Sequence, residues 1–322
     1  MKNIAVLTSG GDAPAMNACI RAVVRTGVYR QLNVFGVYRG FSGLIRGEIE
    51  PLGARSVSNI IQHGGTILKT SRCPEFLTEE GRKKAARVLE AREIDGLVAI
   101  GGDGTFRGAQ ALGQVWGGKI IGVPGTIDND VYGTDYTIGF DTAINTALDA
   151  IDKIRDTAEA FERVFLVEVM GRASGFISLA VGIAGGVEEV LVPGFSEDIG
   201  KLSNQLIEER NKGKTSWIIV VAEGDEAGGA FKLAHQLKEL NGLEYRVCVL
   251  GHTQRGGAPS ARDRVLASKL GAFAVDSLLK GETGKMTGEV GEQLVLVPLA
   301  DTWQKKKDLD GYLYQLIKIL SV

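Results

Sequence analysis

Short apolar runs alternate with helical patterns along most of the 322 residues. These runs are mostly continuous Val, Ile and Leu, without the polar residue at every second position that marks a half-exposed strand. Continuous apolar strands are typical of parallel sheets that are covered by helices on both faces. The alternation therefore predicts a doubly wound α/β fold. The predicted strands are Asn3–Thr8, Asn33–Tyr38, Gly96–Ile100, Lys119–Val123, Val164–Val169, Trp217–Ala222 and Arg246–Leu250, and the predicted helices include Pro14–Tyr29, Glu79–Arg92, Thr142–Glu159 and Ile199–Asn211.

Polar segments that contain glycine follow six of these strands. In doubly wound folds, ligands bind beyond the carboxyl ends of the strands. The chain has 44 glycines, about twice the usual share, and many lie at these strand ends. We therefore expect a binding site along these segments, which are Thr8–Asp12, Gly101–Thr105, Pro124–Asp130, Met170–Arg172, Glu223–Asp225 and Gly251–Gly257.

Two of the segments are acidic. In Gly101–Thr105 the glycines precede a helix, where backbone N–H groups can face a phosphate. Asp103 would repel that phosphate directly, but it suits the Mg²⁺ that accompanies a nucleotide. In Pro124–Asp130 one carboxylate can take a proton from a hydroxyl, and the other can help to hold a hydrated cation. An Asx-rich turn without catalytic function is the alternative interpretation of Asp128-Asn129-Asp130.

Basic side chains gather at strand ends in the second half of the chain. Arginine binds phosphate with two parallel hydrogen bonds, so several converging arginines indicate a phosphorylated substrate. Glu223 could accept hydrogen bonds from sugar hydroxyls. Together with the acidic segments, this pattern predicts phosphoryl transfer from a Mg²⁺-nucleotide to a hydroxyl. The basic residues are Arg163, Arg172, Arg246, His252 and Arg255.

Composition argues against several other classes. The net charge of −2 and the pI near 6.0 give no electrostatic case for nucleic acid or an anionic membrane. Three widely spaced cysteines indicate neither a disulfide framework nor a zinc site. No apolar run approaches the ~18 residues that a membrane span needs. The first residues enter a strand without room for a signal peptide, so we expect a cytoplasmic protein.

The motifs Leu7–Pro14, Gly101–Thr105, Pro124–Asp130, Met170–Arg172 and Gly251–Gly257 resemble the bacterial ATP-dependent 6-phosphofructokinase family over essentially the full length. The resemblance implies two doubly wound three-layer α/β/α lobes and a homotetramer. It places an ATP-binding lobe at 1–138 and 252–306, and a fructose 6-phosphate-binding lobe at 139–251 and 307–322. It also implies a glycolytic kinase that produces fructose 1,6-bisphosphate and ADP.

The resemblance further implies roles for individual residues. Asp128 would be the base for the sugar 1-hydroxyl, with Thr126, Arg172, Arg72 and Gly11 also in the catalytic set. Asp103 would bind Mg²⁺, and Asp130 is a second candidate ligand. Arg163 and Arg246 would reach into a neighbouring subunit's site. The ATP-binding set is Gly11, Arg72, Cys73, Gly102, Asp103, Gly104 and Thr105; the substrate-binding set is Thr126, Ile127, Asp128, Arg163, Met170, Gly171, Arg172, Glu223, Arg246, His252, Thr253, Gln254 and Arg255.

Two glycines indicate the phosphoryl donor. Pyrophosphate-dependent relatives carry Asp where this chain has Gly104, and Lys where it has Gly125. A carboxylate at 104 would clash with the nucleotide α-phosphate, and a lysine at 125 would replace lost phosphate contacts. The two glycines therefore favour ATP.

An effector site for ADP or phosphoenolpyruvate between subunits is also implied. The chain departs from the family there: Ala54 replaces an arginine, Lys212 stands for an arginine, and Thr215 and Ser216 replace a Lys-His pair. Because these changes remove cationic donors, we expect a weakened or altered effector response. The candidate effector residues are Arg21, Arg25, Arg155, Gly186, Glu188, Lys212 and Lys214.

Three alternatives stay open at this point. A pyrophosphate-dependent phosphofructokinase shares most of the motifs. NAD and lipid kinases use a similar Gly-Gly-Asp-Gly-Thr loop, but they lack the Pro124–Asp130 and Gly251–Gly257 motifs. A non-catalytic sugar-phosphate or nucleotide sensor would keep the fold without needing Asp103, Asp128 and Arg172.

Overall fold

The computed structural model describes residues 1–195, 198–224 and 228–321, so Asp225 and Val322 lie outside the described residues. The chain forms two compact units. Unit 1 is Met1–Thr142 with Arg255–Lys307, and unit 2 is Ala143–Gln254 with Asp308–Val322. The predicted lobes were divided after residues 138, 251 and 306, close to these boundaries. The ligand that each lobe binds stays a prediction.

Unit 1 is built on a seven-stranded sheet. Its strands are β1 (Asn3–Thr8), β2 (Asn33–Val37), β3 (Ile49–Leu52), β4 (Gly96–Gly101), β5 (Lys119–Pro124), β10 (Lys285–Val290) and β11 (Gln293–Pro298). They lie in the order β11-β10-β5-β4-β1-β2-β3. The five inner strands are parallel, whereas β3 and β11 pair antiparallel at the two edges.

Helices pack on both faces of this sheet because successive side chains of each strand point to opposite sides. Ala5 and Leu7 pack with one set of helices in a shared apolar core. Ile4 faces the other side, next to Gly27 of the first helix. The helices of unit 1 are α1 (Met16–Tyr29), α2 (Gly40–Arg46), α3 (Glu79–Ala91), α4 (Asp103–Gly113), α9 (Ala261–Leu279) and α10 (Asp301–Gln304).

Unit 2 has a smaller sheet of four parallel strands. The strands are β6 (Val164–Val169), β7 (Glu189–Leu191), β8 (Trp217–Ala222) and β9 (Tyr245–Val249), in the order β7-β8-β6-β9. Leu166 and Ile219 pack against helices on one face, in a core that includes Leu202 and Leu233. The helices are α6 (Phe176–Ala184), α7 (Ile199–Asn211), α8 (Ala230–Asn241) and α11 (Gly311–Leu320), while α5 (Phe140–Phe161) starts in unit 1 and continues into unit 2.

The predicted fold class is confirmed. All seven predicted strands are present, and β1, β6 and β8 have the predicted bounds. Sequence reasoning missed β3, β7, β10 and β11; β3 and β7 are short, β11 lies at the edge of its sheet, and β10 pairs with that edge strand. No helix in the described ranges combines the length and the apolar character that crossing a membrane requires.

Candidate active site

Thr105 joins the segments that follow β1 and β4. Its hydroxyl donates to the carbonyl of Ser9 at 3.1 Å, and the Ser9 N–H donates to the carbonyl of Ile100 at 3.0 Å. A Cβ on Gly101 would lie 2.3 Å from the Thr105 hydroxyl and 2.5 Å from the Ser9 carbonyl. Thr105 is only 2% exposed, so its side chain holds these two segments together.

The start of α4 faces open space. Gly102 is the N-cap residue, and its carbonyl accepts the N–H groups of Thr105 at 2.9 Å and Phe106 at 3.2 Å. The N–H groups before Thr105 point out of the start of the helix, which suits an anion. A Cβ on Gly104 would meet nothing within 4 Å. The space beside Gly104 is therefore large enough for a side chain or for part of a bound ligand.

Asp103 and Arg107 form a forked ion pair on the first turn of α4. The Nε and Nη2 atoms of Arg107 donate to the two carboxylate oxygens at 2.7 and 3.2 Å. The hydrogen bond that Arg107 donates to Asp103 raises the pKa of Arg107. Both side chains are partly open to solvent, so the pair is weak and Asp103 can exchange partners.

Gly11 and Arg255 fit closely against each other. A Cβ on Gly11 would lie 2.1 Å from Nη1 of Arg255. The same Nη1 atom donates to the carbonyl of Asp12 at 3.0 Å, and the Arg255 side chain is 13% exposed. The structure thus assigns Arg255 a bracing contact with the β1 segment, and this contact requires glycine at position 11.

The segment before Arg72 covers the end of β1, a feature that the sequence reasoning missed. Asn17 binds the carbonyls of His63 and Gly64 and the N–H of Ile67. Thr70 donates to the carbonyl of Gly10 at 2.7 Å. A polar residue among the apolar positions of α1 was the only sequence signal for this contact. Arg72 is exposed, and Cys73 is half-buried against the core of unit 1.

The segment after β5 is a tightly held turn. Asn129 has a φ of 52°, and its side chain accepts from Thr137 N–H at 3.0 Å and donates to the Asp135 carbonyl at 3.2 Å. Thr126 accepts the Asp128 N–H at 3.2 Å. Asn129 therefore fixes the turn, as the Asx-turn interpretation predicts, and it lies between the carboxylates of Asp128 and Asp130.

The residues that flank Asn129 have different environments. Asp128 is 5% exposed and Ile127 is buried, whereas Asp130 is exposed. Lys307 donates to the Asp135 carbonyl at 2.7 Å. Burial lowers the pKa of Lys307 to about 8, although the charges of Asp135 and Asp130 oppose the shift. The turn thus combines a shielded carboxylate, an exposed one and a nearby ammonium group.

The acidic residues fit a magnesium ion that comes with a nucleotide. The described residues contain no group of three or more His, Cys, Asp or Glu side chains that could hold a metal. A Mg²⁺ bound by nucleotide phosphates needs only one or two carboxylates. Asp103 supplies one next to the open space at Gly104, and Asp130 is an exposed second candidate.

Unit 2 places further candidates at the ends of β6, β8 and β9. Gly171 and Arg172 have φ values of 125° and 50°, so the chain turns sharply after Met170. Arg172 is exposed and Met170 is buried. Glu223 N–H donates to the Val169 carbonyl at 2.8 Å, which brings Glu223 beside this turn.

The other predicted substrate residues of unit 2 lie at both ends of its sheet: Arg163 precedes β6 and Arg246 is near the start of β9, whereas His252 and Thr253 follow the end of β9. Arg246 is exposed on β9, and Arg163 lies over the ring of Phe161 at 4.4 Å. His252 and Thr253 are exposed in the 3₁₀ helix Gly251–Arg255.

Four of the predicted effector residues are linked in unit 2. Arg155 donates to the carbonyls of Gly185 and Gly186 at 2.7 and 2.9 Å. Glu188 Oε1 lies 4.0 Å from Arg155 Nη1 and 3.6 Å from Lys214 Nζ. Lys212 is exposed at the end of α7, whereas Arg21 and Arg25 lie on α1 in unit 1.

Comparisons with known proteins identify the family of the chain. The Phosphofructokinase family model matches residues 3–278. The chain is 56% identical over 322 residues to "ATP-dependent 6-phosphofructokinase 1" of Thermus thermophilus and 51% identical over 332 residues to "ATP-dependent 6-phosphofructokinase" of Halothermothrix orenii. Each alignment covers 100% of both chains.

Solved structures show the same fold. Phosphofructokinase from Saccharomyces cerevisiae matches with a TM-score of 0.89 and 37% identity, over 94% of this chain and 45% of the yeast chain. A pyrophosphate-dependent phosphofructokinase from Marinobacter aquaeolei matches with a TM-score of 0.85 over 98% of this chain and 91% of its own. At 24% identity, that second likeness supports the fold alone. From the family match and the full-length relatives, the chain belongs to the phosphofructokinase family.

Proposed function

We infer that the chain is an ATP-dependent 6-phosphofructokinase. It transfers the γ-phosphoryl group of ATP to the 1-hydroxyl of fructose 6-phosphate, giving fructose 1,6-bisphosphate and ADP. The observation that carries this conclusion is full-length identity of 51–56% with proteins that bear this name. The reaction belongs to glycolysis.

The proposed chemistry centres on the turn after β5. The Asp128 carboxylate takes the proton of the sugar hydroxyl, whose oxygen bonds to the γ-phosphorus as the bond to the ADP oxygen breaks. Burial of Asp128 excludes competing water, and the Asn129 contacts fix its backbone. Arg72 and Arg172 stabilise charge on the transferring group.

The nucleotide is proposed to bind at the loops of unit 1. The glycines at 11, 102 and 104 admit the phosphates, and the N–H groups of the first turn of α4 face them. Asp103, with Asp130 as a second candidate, would hold Mg²⁺. When bound, this ion would neutralise phosphate charge during the transfer.

The open space at Gly104 supports ATP as the donor. A Cβ on Gly125 would lie 2.9 Å from Ile100 and 3.1 Å from Met16, so packing also requires glycine at this second position. The lysine of pyrophosphate-dependent relatives would therefore disturb the core of unit 1 here.

The sugar phosphate is proposed to bind at the substrate residues that the family resemblance implies. Within unit 2, the sharp turn at Gly171 presents Arg172, and Glu223 lies beside it. A cytoplasmic homotetramer is proposed, with Arg163 and Arg246 completing a neighbouring subunit's site. The proposed contacts are Thr126, Ile127, Asp128, Arg163, Met170, Gly171, Arg172, Glu223, Arg246, His252, Thr253 and Arg255.

Effector control by ADP or phosphoenolpyruvate is proposed to be weakened or altered. Ala54, Lys212, Thr215 and Ser216 supply fewer cationic donors than the family pattern. The test compares inhibition by phosphoenolpyruvate with that of a relative that keeps all the arginines and lysines. Equal inhibition would contradict the proposal.

The first experiment on function measures ADP release with Mg-ATP and fructose 6-phosphate. A parallel assay replaces ATP with pyrophosphate and follows fructose 1,6-bisphosphate formation, with Asp128→Asn as the matched control in both. Turnover with ATP alone that is lost in Asp128→Asn supports the donor and the base together. Turnover with pyrophosphate alone refutes the donor. Binding of fructose 6-phosphate without turnover favours a sensor.

A further inference from the structure

The strand ends of unit 2 continue their hydrogen-bonding ladders past the last strand residues. β6 lies between β8 and β9, with Val169 opposite Ala222 and Glu168 opposite Val249. Glu223 N–H donates to the Val169 carbonyl at 2.8 Å, and Leu250 N–H donates to the Glu168 carbonyl at 3.0 Å. The register is therefore still regular where the candidate site begins.

The next bond on the β9 side is replaced by a side chain. In a regular parallel ladder, Met170 N–H would donate to the Leu250 carbonyl, because bonds alternate along the pair. That carbonyl instead accepts the Thr253 hydroxyl at 2.7 Å, since the chain has turned into the 3₁₀ helix Gly251–Arg255. Met170 N–H donates to Oε1 of Gln254 at 2.8 Å. Gln254 thus supplies the acceptor that β9 no longer provides.

Burial restricts what Gln254 can do. The residue is 0% exposed, and only its oxygen can accept the Met170 N–H, which fixes the orientation of the amide. Its Nε2 atom is buried without a hydrogen-bond partner among the described residues. A group enclosed in this way acts through the backbone that it holds.

The backbone held by Gln254 leads directly into a strained turn. Gly171 and Arg172 follow Met170 with φ values of 125° and 50°, and Ser174 closes the turn by donating to the Gly171 carbonyl. Non-glycine residues adopt positive φ at a cost, so the surrounding contacts must maintain this conformation. The Gln254–Met170 bond fixes the residue from which that turn departs.

We propose that Gln254 is a positioning residue for the sugar phosphate, not a substrate contact. Its side-chain oxygen replaces a strand carbonyl and sets the segment carrying His252 in register with the segment carrying Arg172. This inference rests on the function proposed above. It differs from the expectation that Gln254 binds the substrate directly.

The test uses two substitutions at one position. Gln254→Met keeps the length and the volume but loses the carboxamide oxygen, whereas Gln254→Glu keeps an oxygen that can accept from Met170. We expect Gln254→Met to raise KM for fructose 6-phosphate about tenfold, because a buried N–H loses its acceptor. KM for ATP and kcat should stay within about twofold of the wild-type values. KM for fructose 6-phosphate should be at least about threefold lower in Gln254→Glu than in Gln254→Met.

Ser178→Ala provides the matched control in unit 2. The Ser178 hydroxyl is fully buried and has no partner among the described residues, so its removal changes a buried polar atom without breaking a bond at the site. KM and kcat of Ser178→Ala should match the wild type. Amide hydrogen exchange gives a readout that does not depend on activity: Met170 should exchange faster in Gln254→Met and should be unchanged in Ser178→Ala.

The outcomes separate this inference from the proposed function. Wild-type protein without turnover overturns the proposed function, and the positioning role of Gln254 with it. If the wild type is active, unchanged KM for fructose 6-phosphate in Gln254→Met overturns this inference alone. Equal rises in KM for both substrates, or a Gln254→Glu variant as impaired as Gln254→Met, would also overturn it.

Discussion

Site glycines in the two units are required for different physical reasons. In unit 1, Gly11, Gly101 and Gly125 leave no room for a Cβ, because a side chain or a backbone carbonyl lies within 3 Å of its position. In unit 2, Gly171 and Gly251 have space for a Cβ but adopt φ values of 125° and 51°. The same residue type thus permits close packing in one unit and a particular backbone conformation in the other.

The difference shows how the candidate loops of each unit are held. The loops of unit 1 are cross-linked by Thr105, Asn17 and Arg255, so their shape depends on contacts between distant parts of the chain. In unit 2, Gln254 makes one long-range bond to Met170 N–H, but the turn that follows depends on the positive φ of Gly171 and Arg172. Substitutions should therefore damage the two units by different routes.

Gly101→Ala should cause the largest loss. The new methyl would overlap the Thr105 hydroxyl and the Ser9 carbonyl, and overpacking of this kind costs about 3 kcal/mol. Guanidinium unfolding measures the loss, and amide exchange should locate it at β1 and β4. An unchanged midpoint would show that the junction between the two loops can relax.

Gly171→Ala should have a smaller effect, about 2 kcal/mol, which arises from strain at positive φ without overlap. Increased amide exchange should appear at the end of β6 and not in unit 1. Gly251→Asn is the control, because Asn tolerates φ near 51° and should cost well below 1 kcal/mol. Similar losses in both variants would contradict the conformational explanation.

A buried carboxylate in unit 1 and a half-buried one in unit 2 extend the comparison. In unit 1, Asp263 is 1% exposed and accepts only neutral donors, from Gly139 N–H and from the N–H and hydroxyl of Thr142. Burial raises its pKa, and these hydrogen bonds offset part of the shift. In unit 2, burial also acts to raise the pKa of Glu209, but hydrogen bonds from Trp217 and Gln205 and the charge of Lys214 lower it overall.

The two carboxylates should therefore give opposite pH dependences. The stability that Asp263 contributes is fully present below its unfolded pKa of 3.8 and declines as pH rises through the higher native value. The contribution of Glu209 is present above 4.5 and is lost as pH falls through its lower native value. Asp263→Asn and Glu209→Gln should each cost about 1–2 kcal/mol.

The free energy of unfolding of the wild type and of each variant is measured at about pH 4 and pH 7. The difference between wild type and variant removes the pH dependence of the other groups. The advantage of wild type over Asp263→Asn should shrink from pH 4 to pH 7. Its advantage over Glu209→Gln should grow. If both differences in free energy changed in the same direction with pH, the neutral partners of Asp263 and the charged partner of Glu209 would shift the two pKa values alike, contrary to this prediction.

Gly104→Ala should have the smallest effect on stability, within about 0.5 kcal/mol, because its Cβ meets nothing within 4 Å and φ is ordinary. If the nucleotide occupies this space, KM for ATP should rise while the unfolding midpoint stays constant. A loss of stability comparable to that of Gly101→Ala would show that Gly104 supports packing instead.

Much of the fold could be predicted from local sequence patterns. Val164–Val169 is apolar except at Glu168 and Trp217–Ala222 is apolar throughout, and both form strands with those bounds. β10 was missed because it mixes apolar residues with Lys, Thr, Gly and Glu, whereas β11 is a short apolar run at the edge of the sheet that ends in proline. Gly291 and Glu292 both have positive φ between these strands, as in a tight hairpin, but Gly-Glu is a weaker signal for that turn than Asn-Gly.

The candidate residues could be read from motifs, but their contacts could not. Nothing local indicates that Arg255 packs on Gly11, since the contact joins residues far apart in the chain. Thr105 lies in a motif expected to contact ATP, yet its hydroxyl braces Ser9. Such roles arise from the meeting of strand ends, which the sequence specifies only through the complete fold.

The division of unit 1 into two separated stretches has a consequence during synthesis. β1 to β5 emerge from the ribosome early, but α9, which packs closely on α1 at Gly271 and Cys19, follows only after residues 143–254 have been translated. At about 5–20 residues per second, that interval lasts roughly 6 to 20 s. During this time, the apolar face of α1 and the β5 edge of the sheet lack their native cover. The nascent chain therefore leaves this face of α1 and this edge of the sheet uncovered until the residues after 254 have been translated.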